Sequence, residues 1–438
     1  MFSVPFVLAN LVTAIYSAIG IMVVGRYTNP ETIAAVATGS QIMNPVISVI
    51  TGIGTGVTVL VGRCIGEKSA ESGRKAVGST FILSAVIIAA LTLFMLCCRE
   101  PLLDLLGTQP EARASASRFV YISTLGIPFN IGYGMISAVF RAIGNSKAPS
   151  IVAGISCAIN IALSFLLVGA FGMAEAGVAI ATVASQASSF ILVAVWLYIV
   201  RLPFSFIKSD IRPDGKHMKS IVTVGLPIVI QELALTVAFM IITNRVNNIS
   251  VQAAAAVGVV NRAVTIALVL PAAIGSAVSA MTAQNIGAAK RGRAIASLRW
   301  GITYSLIISV CVFAFCILRS RAVVSVFAAD EGVIEAAISY LRTFSFETIM
   351  VSFVFCMNSY LAGCGKSKVA MIHTTISVFC VRVPLCVLIS QLPGISLPTR
   401  LTYLGASGSV ASLFSIIVCV IYIAMQQRKH RFAEEGVE

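Results

Sequence analysis

The sequence has few charged residues for its length. Only 11% of its 438 residues are Asp, Glu, Lys or Arg, whereas a soluble protein carries about 25%, so a large water-exposed surface is excluded. Three histidines and the absence of a CxxC pair exclude most zinc and thiol-redox sites. With two tryptophans there is no obvious aromatic cage, and no HExxH or Ser/His/Asp grouping is present. We therefore expect no enzyme, no metal site and no cofactor.

Long apolar runs make up most of the chain, which is 58% hydrophobic with a mean hydropathy of +0.96. A helix that crosses a bilayer needs about 20 mostly apolar residues. Twelve such runs are present: Met1–Gly25, Thr32–Gly62, Ala76–Cys98, Phe119–Phe140, Ser150–Ala174, Ala176–Val200, Ser220–Asn244, Ala253–Ala289, Trp300–Leu318, Thr348–Gly365, Val369–Thr399 and Leu401–Gln427. Solid runs favour helices over a barrel of alternating strands. We predict an all-α integral membrane protein with twelve transmembrane helices.

A polar stretch divides these runs into two sets of six. We assign 1–200 to an amino-terminal bundle, 201–219 to a cytoplasmic linker and 220–438 to a carboxy-terminal bundle with a short charged tail. The first run has no basic flank and is too long for a signal-peptide core, so we expect it to be a span.

The basic excess of the chain follows membrane topology. Of 31 Lys and Arg residues, twenty lie in the linkers on one side and nine on the other, while Arg262 and Arg382 lie within spans. The side richer in Lys and Arg is cytoplasmic. We therefore expect a multi-pass protein of the cell (inner or plasma) membrane with both termini in the cytoplasm. Short separate loops offer no continuous groove for nucleic acid, so the net charge of +14 does not indicate a nucleic-acid partner.

The two halves repeat each other with a shift of 221 residues. The matching segments are Ala34–Val36 with Ala255–Val257, Ile65–Gly66 with Ile286–Gly287, Phe119–Val120 with Tyr340–Leu341, and Gly144–Lys147 with Gly365–Lys368. Six spans per copy is an even number, so the copies are parallel repeats related by an axis along the membrane normal. Carriers of this architecture move around a cavity between two bundles. A duplicated scaffold without transport is the alternative.

Four segments resemble the multidrug and toxic compound extrusion (MATE) family, and they fall in that family's order. They are Phe140–Lys147 (FRAIGNSK), Gly225–Pro227 (GLP), Gln284–Ala288 (QNIGA) and Arg382–Leu385 (RVPL). The resemblance covers nearly the whole chain. It implies two pseudo-symmetric six-helix bundles in a V shape that export organic, often cationic, compounds in exchange for H⁺ or Na⁺. The wider superfamily includes lipid-linked oligosaccharide flippases.

Two acidic residues, Glu232 and Glu347, remain once the acids of loops, tails and span ends are set aside. An unpaired carboxylate inside the membrane usually has a function because it is costly to place there. Glu232 lies near the middle of span 7, where a proton and a cationic substrate could compete for it; its alternative role is a salt bridge to Arg262. Glu347 is expected at the outer edge of span 10, as a second cation or substrate contact or as an interfacial acid paired with Arg342.

The resemblance also reveals missing acids. Many family members carry an aspartate in span 1, where this chain has Ala18–Ile21 with Gly20, and another in span 5, where Asn160 fits the pattern but Ser164 replaces the acid. The resemblance therefore implies that this chain lacks the amino-terminal cation site. The resemblance places carboxylates of other members in spans 7 and 10, the spans of Glu232 and Glu347. We expect H⁺ rather than Na⁺ as the coupling ion; export without tight coupling is the alternative.

Neutral polar residues and prolines complete the candidate set. Polar residues that could line a substrate cavity or bond between helices are Gln41, Asn44, Asn130, Asn160, Gln186, Gln231, Asn261 and Asn358. Prolines that could kink spans are Pro45, Pro128, Pro227, Pro271 and Pro384. We assign structural roles to Arg262 and Arg382. The function expected is a monomeric secondary antiporter that exports small organic molecules across the lipid bilayer by a rocker-switch motion; the alternative is a lipid-linked oligosaccharide flippase.

Overall fold

The computed structural model describes residues 28–200, 203–204, 207 and 210–435, and this part of the chain contains helices and no strand. Its helices are α1 (Pro30–Gly66), α2 (Ala70–Leu105), α3 (Pro110–Leu125), α4 (Ile127–Ala142), α5 (Lys147–Ser164), α6 (Ala174–Ile199), α7 (Gly215–Asn247), α8 (Val251–Gly287), α9 (Arg291–Leu318), α10 (Ser320–Ser325), α11 (Glu331–Gly363), α12 (Ser367–Ile376), α13 (Val383–Gln391) and α14 (Leu397–Glu435). Single π-helical segments, Phe165–Ala170 and Ser377–Arg382, follow α5 and α12.

The helices reproduce the predicted spans. Within the described residues ten are long and apolar enough to cross a membrane, and the pair α3 and α4, bent by 45°, makes an eleventh. The all-helical, multi-pass fold is thus confirmed. The first predicted run, Met1–Gly25, lies outside the described residues, so the count of twelve stays a prediction.

Two compact units make up the chain. The first contains Met1–Val229 and Ser279–Ala294, and the second contains Ile230–Val278 and Ile295–Glu438. This division passes through α7, α8 and the first turn of α9, whereas the predicted boundaries at residues 200 and 219 follow the repeat. The predicted domain limits therefore stay a prediction.

Glycines explain why the first half of α7 belongs to the same unit as α1. A Cβ added at Gly52 would lie 2.8 Å from the carbonyl oxygen of Gly225, and one added at Gly225 would lie 2.8 Å from that of Gly52. The ends of α1 and α8 meet in the same way, since a Cβ at Gly66 would fall on the backbone of Gln284 and one at Gly287 on that of Arg63. Small residues let helix backbones approach this closely.

Each unit has its own apolar core. In the first, Ile136, Phe140 and Val152 pack on Val193. In the second, the core joins residues of α7, α8, α11 and α14, and Leu341 is one of its fully buried members. The outer faces also carry exposed apolar side chains, as a lipid solvent requires.

The prolines occupy two kinds of position. Pro45, Pro227 and Pro271 lie inside the unbroken helices α1, α7 and α8. Pro128 begins α4 directly after the bend at Gly126, and Pro384 begins α13 directly after a π-helical segment. Proline cannot donate to the carbonyl four residues earlier and clashes with it, which accounts for a local break before each of the last two. Their role as moving hinges stays a prediction.

Candidate ion-coupling site

Glu232 lies near the middle of α7 and is half-buried. No ion pair within 4 Å joins its carboxylate to another residue of the described chain. Arg262, the partner considered for it, lies on α8 with an exposed side chain and does not reach it. The alternative of a Glu232–Arg262 salt bridge is therefore wrong for this structure, and Glu232 keeps an uncompensated carboxylate within a span.

Glu347 differs from Glu232 because its charge is matched. Arg382 donates two hydrogen bonds to it, from Nη1 to Oε1 at 2.9 Å and from Nη2 to Oε2 at 3.2 Å. Both side chains are nearly inaccessible, at 7% exposed for Glu347 and 11% for Arg382. A bidentate pair of this kind fixes both groups in orientation as well as in charge.

The predicted position of Glu347 is wrong. Hydropathy places the start of span 10 at Thr348, whereas α11 begins at Glu331, so Glu347 lies at the centre of this 33-residue helix rather than at its outer edge. Its partner is Arg382, not Arg342. The error arises because the charged first turns of α11 lower the hydropathy of a segment that is nevertheless helical.

Two neighbours, Phe239 and Gly408, shape the Glu347–Arg382 pair. The guanidinium of Arg382 stacks over the ring of Phe239 on α7, with 5.0 Å from Cζ to the ring centroid. Gly408 on α14 leaves the space for the Glu347 carboxylate, because an added Cβ would collide with it. Arg382 itself ends the π-helical segment ahead of Pro384, and its Nε is buried without a hydrogen-bond partner among the described residues.

A second buried polar cluster surrounds His373 on α12. Its Nδ1 lies 2.8 Å from the hydroxyl of Ser415, and its Nε2 lies 2.9 Å from Oδ1 of Asn358 and 3.1 Å from the thiol of Cys419. Asn358 also donates from Nδ2 to Thr374 at 3.3 Å. His373 lies within the predicted span Val369–Thr399, and these partners come from α11, α12 and α14. Asn358, predicted as a cavity residue, makes hydrogen bonds within this unit.

The first unit contains a polar cluster of the uncharged residues Asn160, Ser164 and Ser185. Asn160 on α5 donates from Nδ2 to Ser185 of α6 at 3.2 Å and accepts a hydrogen bond from Ser164 at 3.2 Å. All three side chains are buried. Serine therefore stands at the position of the missing acid and satisfies Asn160; Gly20, the other such position, lies outside the described residues.

The remaining polar candidates are dispersed. Gln41 and Asn44 are exposed on α1, whereas Asn130, Gln186 and Asn261 are half-buried and Gln231 is buried. Their contact with a substrate stays a prediction. Within the described residues no three His, Cys, Asp or Glu side chains converge as metal ligands would.

Comparison with known proteins identifies the family of this chain. The model of the MatE family matches the chain twice, over residues 5–166 and 227–388. The chain belongs to the MatE family. The two matches have the same length and confirm the internal repeat.

Proteins of known sequence and structure resemble the chain over most of its length. The probable multidrug resistance protein YoeA of Bacillus subtilis is 26% identical, covering 96% of this chain and 91% of that protein. The probable multidrug resistance protein NorM of Thermotoga maritima is 24% identical, covering 87% and 83%. A MOP superfamily transporter from Pyrococcus furiosus has the same fold, with a TM-score of 0.90 at 20% identity over 97% of this chain and 94% of that one.

Proposed function

We propose that this MatE protein is a secondary active exporter of small organic compounds, cationic or amphiphilic, driven by a cation that moves in the opposite direction. It would act as a monomer in the plasma (inner) membrane, with both termini in the cytoplasm, by alternating access of its two repeats. Membership of the MatE family and the names of two relatives as probable multidrug resistance proteins support this proposal.

The observation that carries the proposal is the isolated carboxylate of Glu232. A charge in the middle of a span costs about 2.5–3.5 kcal/mol on insertion scales, and no described residue compensates it by an ion pair. Glu347 is different, since Arg382 already holds it in a bidentate pair. Of the two acids near the middle of a described span, Glu232 is thus the one that is available to exchange partners.

The exchange would proceed by competition at one carboxylate. In one state Glu232 takes up a proton and releases the organic cation; in the other the cation binds and the proton leaves. Because the ligand affects proton affinity as much as the proton affects ligand affinity, the two flows are coupled. A proton needs one carboxylate, whereas a hard metal cation needs several converging oxygen ligands, so H⁺ fits Glu232 better than Na⁺.

Transport into proteoliposomes tests the proposal. Purified protein would be reconstituted, an acidic interior imposed, and uptake of the fluorescent cation ethidium followed. We expect Glu232→Gln to reduce gradient-driven uptake about tenfold or more, within the range of ordinary coupling energies. Glu335→Gln, which neutralises an exposed acid near the start of α11, is the matched control and should transport normally.

Two results would contradict the proposal. Uptake by Glu232→Gln at the rate of the unmodified protein would remove this residue from coupling. Uptake driven by a Na⁺ gradient and indifferent to pH would reject the proton as the coupling ion.

The flippase alternative has less support. A lipid-linked pyrophosphate needs cationic groups in the transport path. Of the two arginines within spans that the sequence identifies, Arg382 is neutralised by Glu347. We therefore do not propose it.

A further inference from the structure

An apolar groove lies between α2, α4 and α6 in the first unit. Its volume is about 350 Å³, and three aromatic rings, those of Phe81, Phe129 and Phe190, form much of its wall. Phe129 and Phe190 pack on each other with ring centroids 6.2 Å apart. This size falls in the range of about 300–1,000 Å³ found for ligand pockets.

The side chains that line the groove offer its occupant no free hydrogen-bond donor. Its two hydroxyls belong to Thr80 and Ser84. Thr80 donates to the carbonyl of Ala76 at 2.8 Å, and Ser84 donates to the carbonyl of Thr80 at 2.6 Å. Both donors are thus used within α2, so the groove suits a hydrocarbon.

One end of the groove leads to positive charge. Phe81, Ala85 and Ile88 of the wall lie on one stripe of α2, and the same stripe continues back through Gly78 to Arg74 at helical spacing. Arg74 is half-buried. The side chain of Arg74 therefore lies on the same face of α2 as the wall of the groove, about two turns before Phe81.

The linker adds a second cation at this end. The backbone of Asp210 and Ile211 lies against Gly78, where an added Cβ would collide with it. Arg212 follows directly and is exposed. Neither Arg74 nor Arg212 forms an ion pair with another described residue.

We propose that the groove holds an acyl chain of an anionic phospholipid whose phosphate binds Arg74 and Arg212. The hydrocarbon would lie along Phe81, Ala85 and Ile88. Basic residues beside membrane-spanning helices attract anionic headgroups on the cytoplasmic face, which is the face predicted for the linker. All of these residues belong to the first unit, and the proposal does not depend on the proposed transport function.

A larger side chain placed in the groove tests whether the acyl chain lies there. Protein in detergent would be titrated with dioleoylphosphatidylglycerol, and bound lipid counted by native mass spectrometry. We expect Ala85→Phe to weaken binding about tenfold or more, since excluding two methylene groups has that effect. Ala90→Phe, on an exposed part of the same helix outside the groove, is the matched control and should bind normally. If Ala85→Phe does not fold, Ala194→Phe fills the same groove.

Removing charge tests the headgroup. Arg74→Gln and Arg212→Gln should each weaken phosphatidylglycerol binding about five-fold, whereas Lys290→Gln, an exposed lysine beyond the end of α8, should not. The proposal would be overturned if Ala85→Phe bound phosphatidylglycerol as tightly as its control Ala90→Phe. So would dioleoylphosphatidylcholine binding as tightly as phosphatidylglycerol, or ethidium displacing the lipid from the groove.

Discussion

The two units use the same repeat for different chemistry. Three buried or half-buried polar positions of the second unit have apolar or glycine counterparts in the first at the 221-residue shift. The pairs are Gly126 with Glu347, Val152 with His373, and Ile161 with Arg382. At these three pairs of positions, the polar or charged residue is found in the second copy and not in the first.

The backbone differs at the same positions. In the first unit the fourth span bends by 45° at Gly126, whereas α11 continues unbroken through Glu347. Val152 belongs to an apolar core, while His373 joins three helices through polar contacts. The two copies therefore share a helix arrangement but differ in their buried polar groups, and the candidate acids Glu232 and Glu347 both belong to the second unit.

We expect the largest loss of stability when Arg382 is replaced by isoleucine, the residue at the equivalent position 161 of the first unit. Arg382→Ile leaves Glu347 buried without a partner, which should lower the free energy of unfolding by about 3–5 kcal/mol. Thermal unfolding in detergent measures it. The double variant Glu347→Gly with Arg382→Ile reproduces both residues of the first unit and should recover most of the loss, apart from about 1 kcal/mol for a glycine inside a helix. A double variant as unstable as Arg382→Ile alone would show that the loss does not come from the unpaired Glu347 carboxylate.

A smaller effect is expected at the glycine that makes room for the pair. Gly408→Ala places a methyl group on the Glu347 carboxylate and should cost about 1–3 kcal/mol as overpacking. Gly258→Ala is the matched control, because this exposed position of α8 has open space around it and alanine favours helix by up to about 1 kcal/mol. Equal unfolding temperatures for the two variants would mean that the pair tolerates displacement.

The smallest effect is expected where the repeats are joined. Asp214 accepts hydrogen bonds from the backbone of Lys216 and His217 at the start of α7. The His217 side chain and these backbone bonds hold the pKa of Asp214 below its ordinary value, so its contribution is present at neutral pH and is lost as the pH falls through that lowered pKa. Asp214→Asn should unfold at a slightly lower temperature than the unmodified protein at pH 7. The difference should vanish in acid well below pH ~4, the ordinary value for aspartate; a difference that grows in acid would contradict this.

The membrane class and the duplication could be predicted from the sequence. So could the eleven spans that fall within the described residues, because hydropathy and helix length are local properties. The sequence also identified Glu232 and Glu347 as the acids within spans, because charged residues there are rare. The family followed from short segments such as Phe140–Lys147, whose order along the chain could be read directly.

The sequence did not reveal which of these acids is neutralised by an arginine; the packing of the helices does. Arg382 meets Glu347 from a different span, and Arg262 fails to meet Glu232, because such pairing depends on the depth and rotation of two helices packed against each other. The partners of His373 were hidden for the same reason. Spacing along one chain carries no direct measure of that geometry, so the difference between a compensated and an isolated carboxylate emerges only when the helices are assembled.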